Sequence, residues 1–365
     1  MSTVKLNPLG PGVAFVRSLI SYVASGGDLA RAAEHADIHF RSTPHVKAFF
    51  ERGGFYRQAE QWSSRHKSAV GGYSIDDLSP LGFSSDAFAL LQSVSIFGRL
   101  APACNRVPFR TLTPREYGAG AGGAWRGEGL PRPVALTAVD QLQQLVYEAT
   151  VCIVVSKEWM RPNAIYERAL LRMIGNALAK YVDGQLLDPA VSASTEHPAS
   201  ITNGATVVSS TGSSAAQIAA DLASLIAAIE SPADGLRWIM RSKTYAYINA
   251  KLASAGLPPT PGFLLGIPVI TGSTSPSQVA LVDAASIAVS YDEAIVTDIS
   301  TVTSLEMDTS PTQDGLAGGG AQLVSLMQAG LVAMQQSMNV AWQPSAVMPS
   351  SPAQPAGVAY MTVTY

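Results

Sequence analysis

The chain has 365 residues, of which 47% are hydrophobic and 14% charged, with a formal net charge of −3. That is ample material for a large core and too little positive charge for a dedicated nucleic-acid binder. The charged fraction is well below the ~25% usual in a soluble domain, so much of the surface is expected to be covered by other protein. Cys104 and Cys152 are the only cysteines; two in a chain this long exclude a disulfide scaffold and fit a reducing cytoplasm.

Residues 1–70 differ in texture from the rest. They hold many charges and four of the five histidines, His35, His39, His45 and His66. "GVAFVRSLISYVASGG" places apolar residues at 13, 16, 19, 20 and 23, a short amphipathic helix ended by glycine. Arg17 interrupts it, so it is a poor signal-peptide core. No run of ~18 uncharged apolar residues is present, so no membrane span is expected. "GDLARAAEHADIHF" and "PHVKAFFERGG" predict two more helices. The histidines lack metal-ligand spacing, and solvated histidines are the simpler account.

"AVGGYSIDDLSPLGF" (69–83) predicts an extended arm and "SDAFALLQSVSIFGRL" (85–100) a short helix. "RVPFRTLT" and "ALTAVDQLQQLVYEATVCIVVS" predict strands, the second long and β-branched. Between them lies Gly118-x-Gly120-x-x-Gly123, a literal match to the dinucleotide-binding fingerprint. That fingerprint needs a buried strand before it and a helix after it. "RTLTPREY" before it is polar and holds Pro114, and Gly127, Gly129, Pro131 and Pro133 after it forbid a helical turn. Glycine that lets a long hairpin bend at its tip is the better reading. Arg110, Arg115, Arg126 and Arg132 give that hairpin its charge.

"RPNAIYERALLRMIGNALAKYVDGQLLD" (161–188) has apolar residues at 165, 169, 170, 173, 174, 177, 178 and 181. It predicts a helix of ~20 residues, about 30 Å long, starting near Pro162. Arg168, Arg172, Asn176 and Lys180 form its polar stripe. After a Ser/Thr/Gly-rich stretch (192–214), "SSAAQIAADLASLIAAIE" predicts a helix with Ile218, Leu222, Leu225 and Ile229 inward. "LRWIMRSKTYAYINAKLA" predicts strand then helix, and "FLLGIPVITGS" a buried strand broken by Gly266 and Pro268. "QVALVDAASIAVSYDEAIVTDISTVTSLEM" predicts successive short strands, "GLAGGGAQ" a flexible loop and "GVAYMTVTY" a terminal strand. "LVSLMQAGLVAMQQSMNVAWQP" suits helix and strand equally.

In this order, the segments resemble the major capsid protein of tailed bacteriophages, the HK-ninety-seven-like fold. "FALLQSVSIFGRLAP" resembles that family's junction between arm and first strand. "AWRGEG" matches its W-x-G-E-G signature in the extended loop. "RALLRMIGNALAKYVDGQLLDP" resembles its spine helix, and "WIMRSKTYAYINAKL" with "LLGIPVITGS" its axial-domain approach. "LVDAASIAVSYDEAIVTDIS" resembles its strand series, and "LVSLMQAGLVAMQQSMNVAWQPSAV" its closing segment, favouring a strand over 322–342. "MQQSMNVAW" lacks the Arg and Glu often found there.

The resemblance implies an α+β fold with an axial domain, a peripheral domain with a long spine helix, an extended β-hairpin loop and an N-terminal arm. On the chain it implies a helical N-terminal extension over 1–70, arm and short helix over 71–105, and the extended loop with its adjoining strand over 106–156. The peripheral domain with the spine helix follows over 157–200. A mainly axial region with returning peripheral strands spans 201–320, and a closing segment 321–365.

The implied function is structural: self-assembly into hexamers and pentamers of an icosahedral head enclosing double-stranded DNA. The implied partners are other copies of the chain, a portal, scaffold or cement proteins, and packaged DNA held without sequence preference. Particles would assemble in the host bacterial cytoplasm, and any processing protease or scaffold would be a separate chain. No cofactor, metal or catalytic residue is implied. The expected intersubunit residues are Arg115, Trp125, Arg126, Glu128 and Arg132 in the loop; Arg168, Arg172 and Lys180 form the polar face of the spine helix.

Trp125 is either an interface anchor or packed beneath its own hairpin. Some relatives weld subunits through a loop lysine, but this chain has none between Lys67 and Lys157, so a non-covalent shell is expected. Rival readings are an encapsulin-like compartment shell and a Ser/His hydrolase. The latter would need His197, the one histidine beyond residue 70, but the chain has no G-x-S-x-G elbow. His197 is expected to lie on a surface loop.

Overall fold

The computed structural model describes residues 12–54, 88–117, 138–229, 235–256, 260–273, 277–293, 295–307, 323–348, 351–355 and 357–363. The arm (69–83), His66, the three fingerprint glycines, Trp125, Arg126, Glu128, Arg132 and the "GLAGGGAQ" segment lie outside the described residues. The fold is α+β. The chain forms two compact units, one of residues 1–91, 150–178 and 293–338, the other of 92–149, 179–292 and 339–365.

In chain order, α1 (Val13–Ala24), α2 (Leu29–His39) and α3 (Pro44–Glu51) occupy the three segments expected to be helical. Asp28 caps α2 by accepting from Arg31 N, and Pro44 opens α3. Residues 88–94 are helical, Ser95 breaks the run, and α4 (Ile96–Leu100) follows. The expected single helix over 85–100 is therefore two pieces. "RVPFRTLT" is also divided: β1 (Asn105–Arg106) and β2 (Leu112–Tyr117) flank a turn in which Arg110 takes a positive φ of 59°. The long strand expected over 135–156 contains β3 (Ala138–Gln143) and β4 (Tyr147–Ser156).

The long helix α5 (Ala164–Leu187) has 24 residues. In β5 (Thr206–Val207) the chain is briefly extended before α6 (Ala215–Ala227). Ser214 and Gln217 cap α6 reciprocally, each side chain reaching the other's backbone. Then come β6 (Leu236–Met240), α7 (Ser242–Ser254), β7 (Phe263–Leu264), β8 (Ile267–Thr271) and β9 (Gln278–Asp283). The series β10 (Ile287–Tyr291), β11 (Val296–Ser300) and β12 (Ser304–Glu306) is as expected. The ambiguous segment is mostly extended: β13 (Leu323–Ser325), one helical turn α8 (Leu326–Ala329), then β14 (Leu331–Pro344). The short strands β15 (Ala346–Met348) and β16 (Ser351–Pro355) precede the terminal strand β17 (Val358–Thr362).

In the unit that includes 179–292, six strands form a sheet in the order β5-β17-β9-β6-β8-β7. β9 is buried along its whole length, as a central strand should be. Ile218, Leu222 and Leu225 of α6 and Ile248 and Leu252 of α7 pack with Trp238, Val279, Leu281 and Met361 in one core, and Ile229 packs at its margin. The indole N–H of Trp238 donates to Leu264 O at 3.1 Å, so the largest buried side chain leaves no polar atom unpaired. "FLLGIPVITGS" is a hairpin, not one broken strand. It turns at Leu265 (φ 52°) and Gly266 (φ 78°), while Pro268 sits inside β8, paired with Phe263. The same unit joins β1, β10 and residues 340–344 of β14.

In the other unit β11 pairs antiparallel with residues 333–337 of β14, and β12 with β13. The helical layer α1–α3 buries Phe15, Val16, Leu19, Ile20, Val46, Phe49 and Phe50. Gly12 opens α1 at φ 81°, and a Cβ there would meet Leu90 at 2.8 Å and Leu171 at 3.0 Å. The start of α1 is thereby packed directly on α5 and the 88–94 helix.

Candidate functional site

The hairpin is present at its base. β2 and β3 are antiparallel in unbroken register from Leu112↔Gln143 to Tyr117↔Ala138, with Arg115 opposite Asp140. Pro114 pairs with Gln141 of β3, and β15, on the far side of β2, pairs only with Glu116 and Tyr117, so that second ladder needs no N–H from Pro114. The polar "LTPREY" is thus a strand after all, but Leu112 is 58% exposed, so it is not the buried strand a phosphate-binding fingerprint requires.

Two groups anchor this base. Arg110 N donates to Gln144 O at 2.8 Å, and the buried Gln144 Nε2 donates to Ala288 O at 2.9 Å. Ser290 Oγ donates to Val107 O at 2.5 Å, holding the chain where it enters the hairpin. Gln144 falls within the segment expected to be one continuous strand, 135–156. The polar run "DQLQQ" was the available sign that the strand is interrupted there.

Along α5, Arg168, Arg172 and Lys180 of the expected polar stripe are exposed, and Asn176 is half-buried. Of the expected apolar positions, Leu170, Ile174 and Leu178 are buried, and Val182 and Leu186 continue that row. Ile165, Met173 and Tyr181 are instead 68%, 37% and 43% exposed. They sit about 100° around the helix from the buried row, so the apolar pattern is broader than the covered face.

Asp183 interrupts that buried face. It is 3% exposed, and its carboxylate accepts from Ser95 Oγ at 2.6 Å, Ile96 N at 2.9 Å and Phe97 N at 2.9 Å. These are the orphan donors at the start of α4, which explains the break at Ser95. Burial pushes the Asp183 carboxyl above the usual carboxylate range, against the pull of these three donors and of Arg99. Arg99 Nε donates to Ser95 O at 3.1 Å, and its terminal nitrogen reaches Thr271 O.

In the helical layer, Arg17 Nε donates to Glu167 Oε1 at 3.0 Å, with the two side chains 14% and 12% exposed. Arg17 Nη1 also donates to Ser42 Oγ at 2.9 Å, and the guanidinium lies 5.3 Å from the Phe40 ring centre. One side chain of α1 therefore ties α5 to the turn between α2 and α3.

His197 lies in a loop but is half-buried, with Nδ1 against Pro198 O at 3.3 Å. Among the described residues no serine hydroxyl bonds to its ring, and no metal-binding cluster occurs. Cys104 and Cys152 are both free. No helix among the described residues is long and apolar enough to cross a membrane.

No family model matches the chain. It is 29% identical over 279 residues to the capsid polyprotein of Pseudomonas phage PAJU2, an alignment covering 71% of this chain. The chain spans 41% of the length of that curated relative. Among solved structures, one from Mycobacterium phage Adephagia is similar with a TM-score of 0.49 and 16% identity, covering 81% of this chain and 100% of that one. A capsid of an empty GTA particle computed with C5 symmetry gives 0.45 and 12%, covering 73% and 89%.

Proposed function

We propose that this chain is the major capsid protein of a tailed phage, a non-enzymatic subunit that assembles with copies of itself into the hexamers and pentamers of a DNA-filled head. The observation that carries this reading is the similarity to a phage capsid polyprotein over 279 residues. The succession of long helix, sheet-and-helix region and closing strand, in the order expected of such a subunit, supports it further.

Such a protein does no bond chemistry. Its work is to distribute association free energy over many modest contacts, so that a closed lattice forms without trapping errors. The low charge content suits a surface covered largely by neighbours. The β2–β3 hairpin is the element for reaching one: the 20 residues between its described strands give it length, and Trp125, Arg126, Glu128 and Arg132 give it an aromatic anchor and charges. Arg168, Arg172 and Lys180 offer a second charged surface. Contact with packaged DNA would be loose and salt-dependent, and portal, scaffold and cement proteins are the further partners.

The test is the double variant Trp125→Ala, Arg126→Ala. Its unassembled chain should unfold at the wild-type denaturant concentration, while its particles dissociate at lower denaturant or temperature. Particles of unchanged resistance would remove the hairpin from the assembly contacts.

A further inference from the structure

The histidines of α2 are not both solvated side chains. His39 is exposed, but His35 is half-buried, and its Nδ1 lies 3.3 Å from the hydroxyl of Ser21, a fully buried residue of α1. The two imidazoles are one helical turn apart, with ring centres separated by 4.4 Å. The His35 ring also stands edge-on to the buried Phe40, 6.1 Å between centres. The guanidinium of Arg17, from α1, sits over the same Phe40 ring at 5.3 Å.

Potential positive charge is therefore gathered where α2 meets α1. Arg31, His35 and His39 follow one another at steps of four along α2, and like charges at that spacing repel. Glu34 and Asp37 lie about 100° and 160° around the helix from His35, and Asp37 is engaged by Lys47 of α3 at 3.3 Å. The other titratable or charged side chains on the helices packed against α2 are Arg17 and Tyr22 of α1 and His45 and Glu51 of α3. Glu51 is exposed, and Glu167 of α5, the nearby buried acid, is already paired with Arg17.

We propose that the His35–His39 pair is an acid-sensitive latch, holding α2 against α1 while the rings are neutral and releasing it when both are protonated. A neutral His35 shares a proton with the Ser21 hydroxyl and packs on Phe40 at little cost. Once both rings are charged, two cations one turn apart stand beside Arg17, at a seam that buries Ala32, Ala36 and Phe40. The exposed His39 holds its charge in water; the proton on His35 is the costly one. Burial, and then the charge of His39, hold the His35 imidazole below its ordinary range, and no carboxylate opposes them. The stability that neutral His35 gives the seam is thus present above the ordinary histidine range and lost as pH falls through the lowered value. Because α2 packs on both α1 and α3, its release loosens the whole helical layer.

The test is hydrogen exchange of the unassembled full-length chain, read as protection factors corrected for the intrinsic effect of pH. Protection of peptides from α1 and α2 should fall about fivefold or more between about pH 7.5 and about pH 5, while protection of α6 should not. His35→Gln, which keeps a hydrogen-bonding group for Ser21 without a titratable ring, should abolish the loss. If that variant does not fold at neutral pH, His39→Gln, at an exposed position, serves in its place and should make the loss smaller. The fixed cation of His39→Lys should not. No loss in the wild-type chain, an equal loss in α6, or a loss undiminished by either glutamine variant overturns the proposal.

Discussion

Two fastenings on the same helix work by opposite electrostatics. In one unit Arg17 of α1 meets Glu167 of α5, charge against charge, at a site that retains some solvent access. In the other, Asp183 of α5 holds the start of α4 through neutral donors, with two backbone N–H groups and one hydroxyl converging on a carboxylate that is 3% exposed. The first anchors the N-terminal helical layer and the second the segment that leads into the hairpin. An ion pair with water nearby is modest in strength and sensitive to salt. A buried carboxylate among neutral donors is costly to disturb and responds to protons.

The largest effect should follow Asp183→Ala. It strands the N–H groups of Ile96 and Phe97 and the Ser95 hydroxyl, costing about 3 kcal/mol or more in chemical denaturation of the unassembled chain. Asp183→Asn, which keeps one acceptor, should cost less. A loss under about 1 kcal/mol for the alanine variant would mean that water replaces the carboxylate, and the contrast would collapse.

Arg17→Met should cost about 2 kcal/mol, below the range for a fully buried pair because both side chains keep some exposure. The wild-type advantage over this variant should shrink in high salt. The advantage over Asp183→Ala should not. Equal salt responses would show that the two sites do not differ in kind.

The pH response sharpens the same contrast. The folded Asp183 carboxyl lies above its unfolded value, so between the two the native state binds the additional proton. Wild-type stability relative to Asp183→Asn should therefore be highest below the unfolded carboxylate range. It should fall as pH rises from there to the raised folded value, then level off. A wild-type advantage that grew with pH would reverse the assigned direction.

The smallest effect is kinetic. Burial, with Asp283 adding and Arg237 opposing, leaves the Cys104 thiol pushed up to about 12, whereas Cys152 is exposed and only partial burial raises it. Alkylation of the unassembled chain near neutral pH, followed by mass spectrometry, should label Cys152 well before Cys104. Equal rates would show that the Cys104 environment opens in solution.

Local signals were the legible part of this molecule. Apolar spacing placed α5 and α6, and the Ser214–Gln217 pair marks where α6 starts. β14 was harder because it is buried on both faces over most of its length, including Gln336, Ser337 and Asn339. Without alternation, neither period stands out. Gly330, at φ 63°, is what ends the short helix before it. The fastenings depend on long-range partners, which spacing cannot reveal. Arg17 and Glu167 are 150 positions apart, and Ser95 and Asp183 88. Even so, Asp183 had a local mark: it lies within the buried stretch formed with Ala179, Val182 and Leu186, where an unpaired acid would be too costly to keep.

The most direct test of the account is the native mass of the purified full-length chain under assembly-permitting conditions. Capsomers or closed particles should appear. Boiling them in reductant should return a single monomer band, because the chain from Arg106 to Ser156 has no lysine to form a covalent link. A folded, intact chain that remains a monomer across salt, pH and concentration would contradict the account.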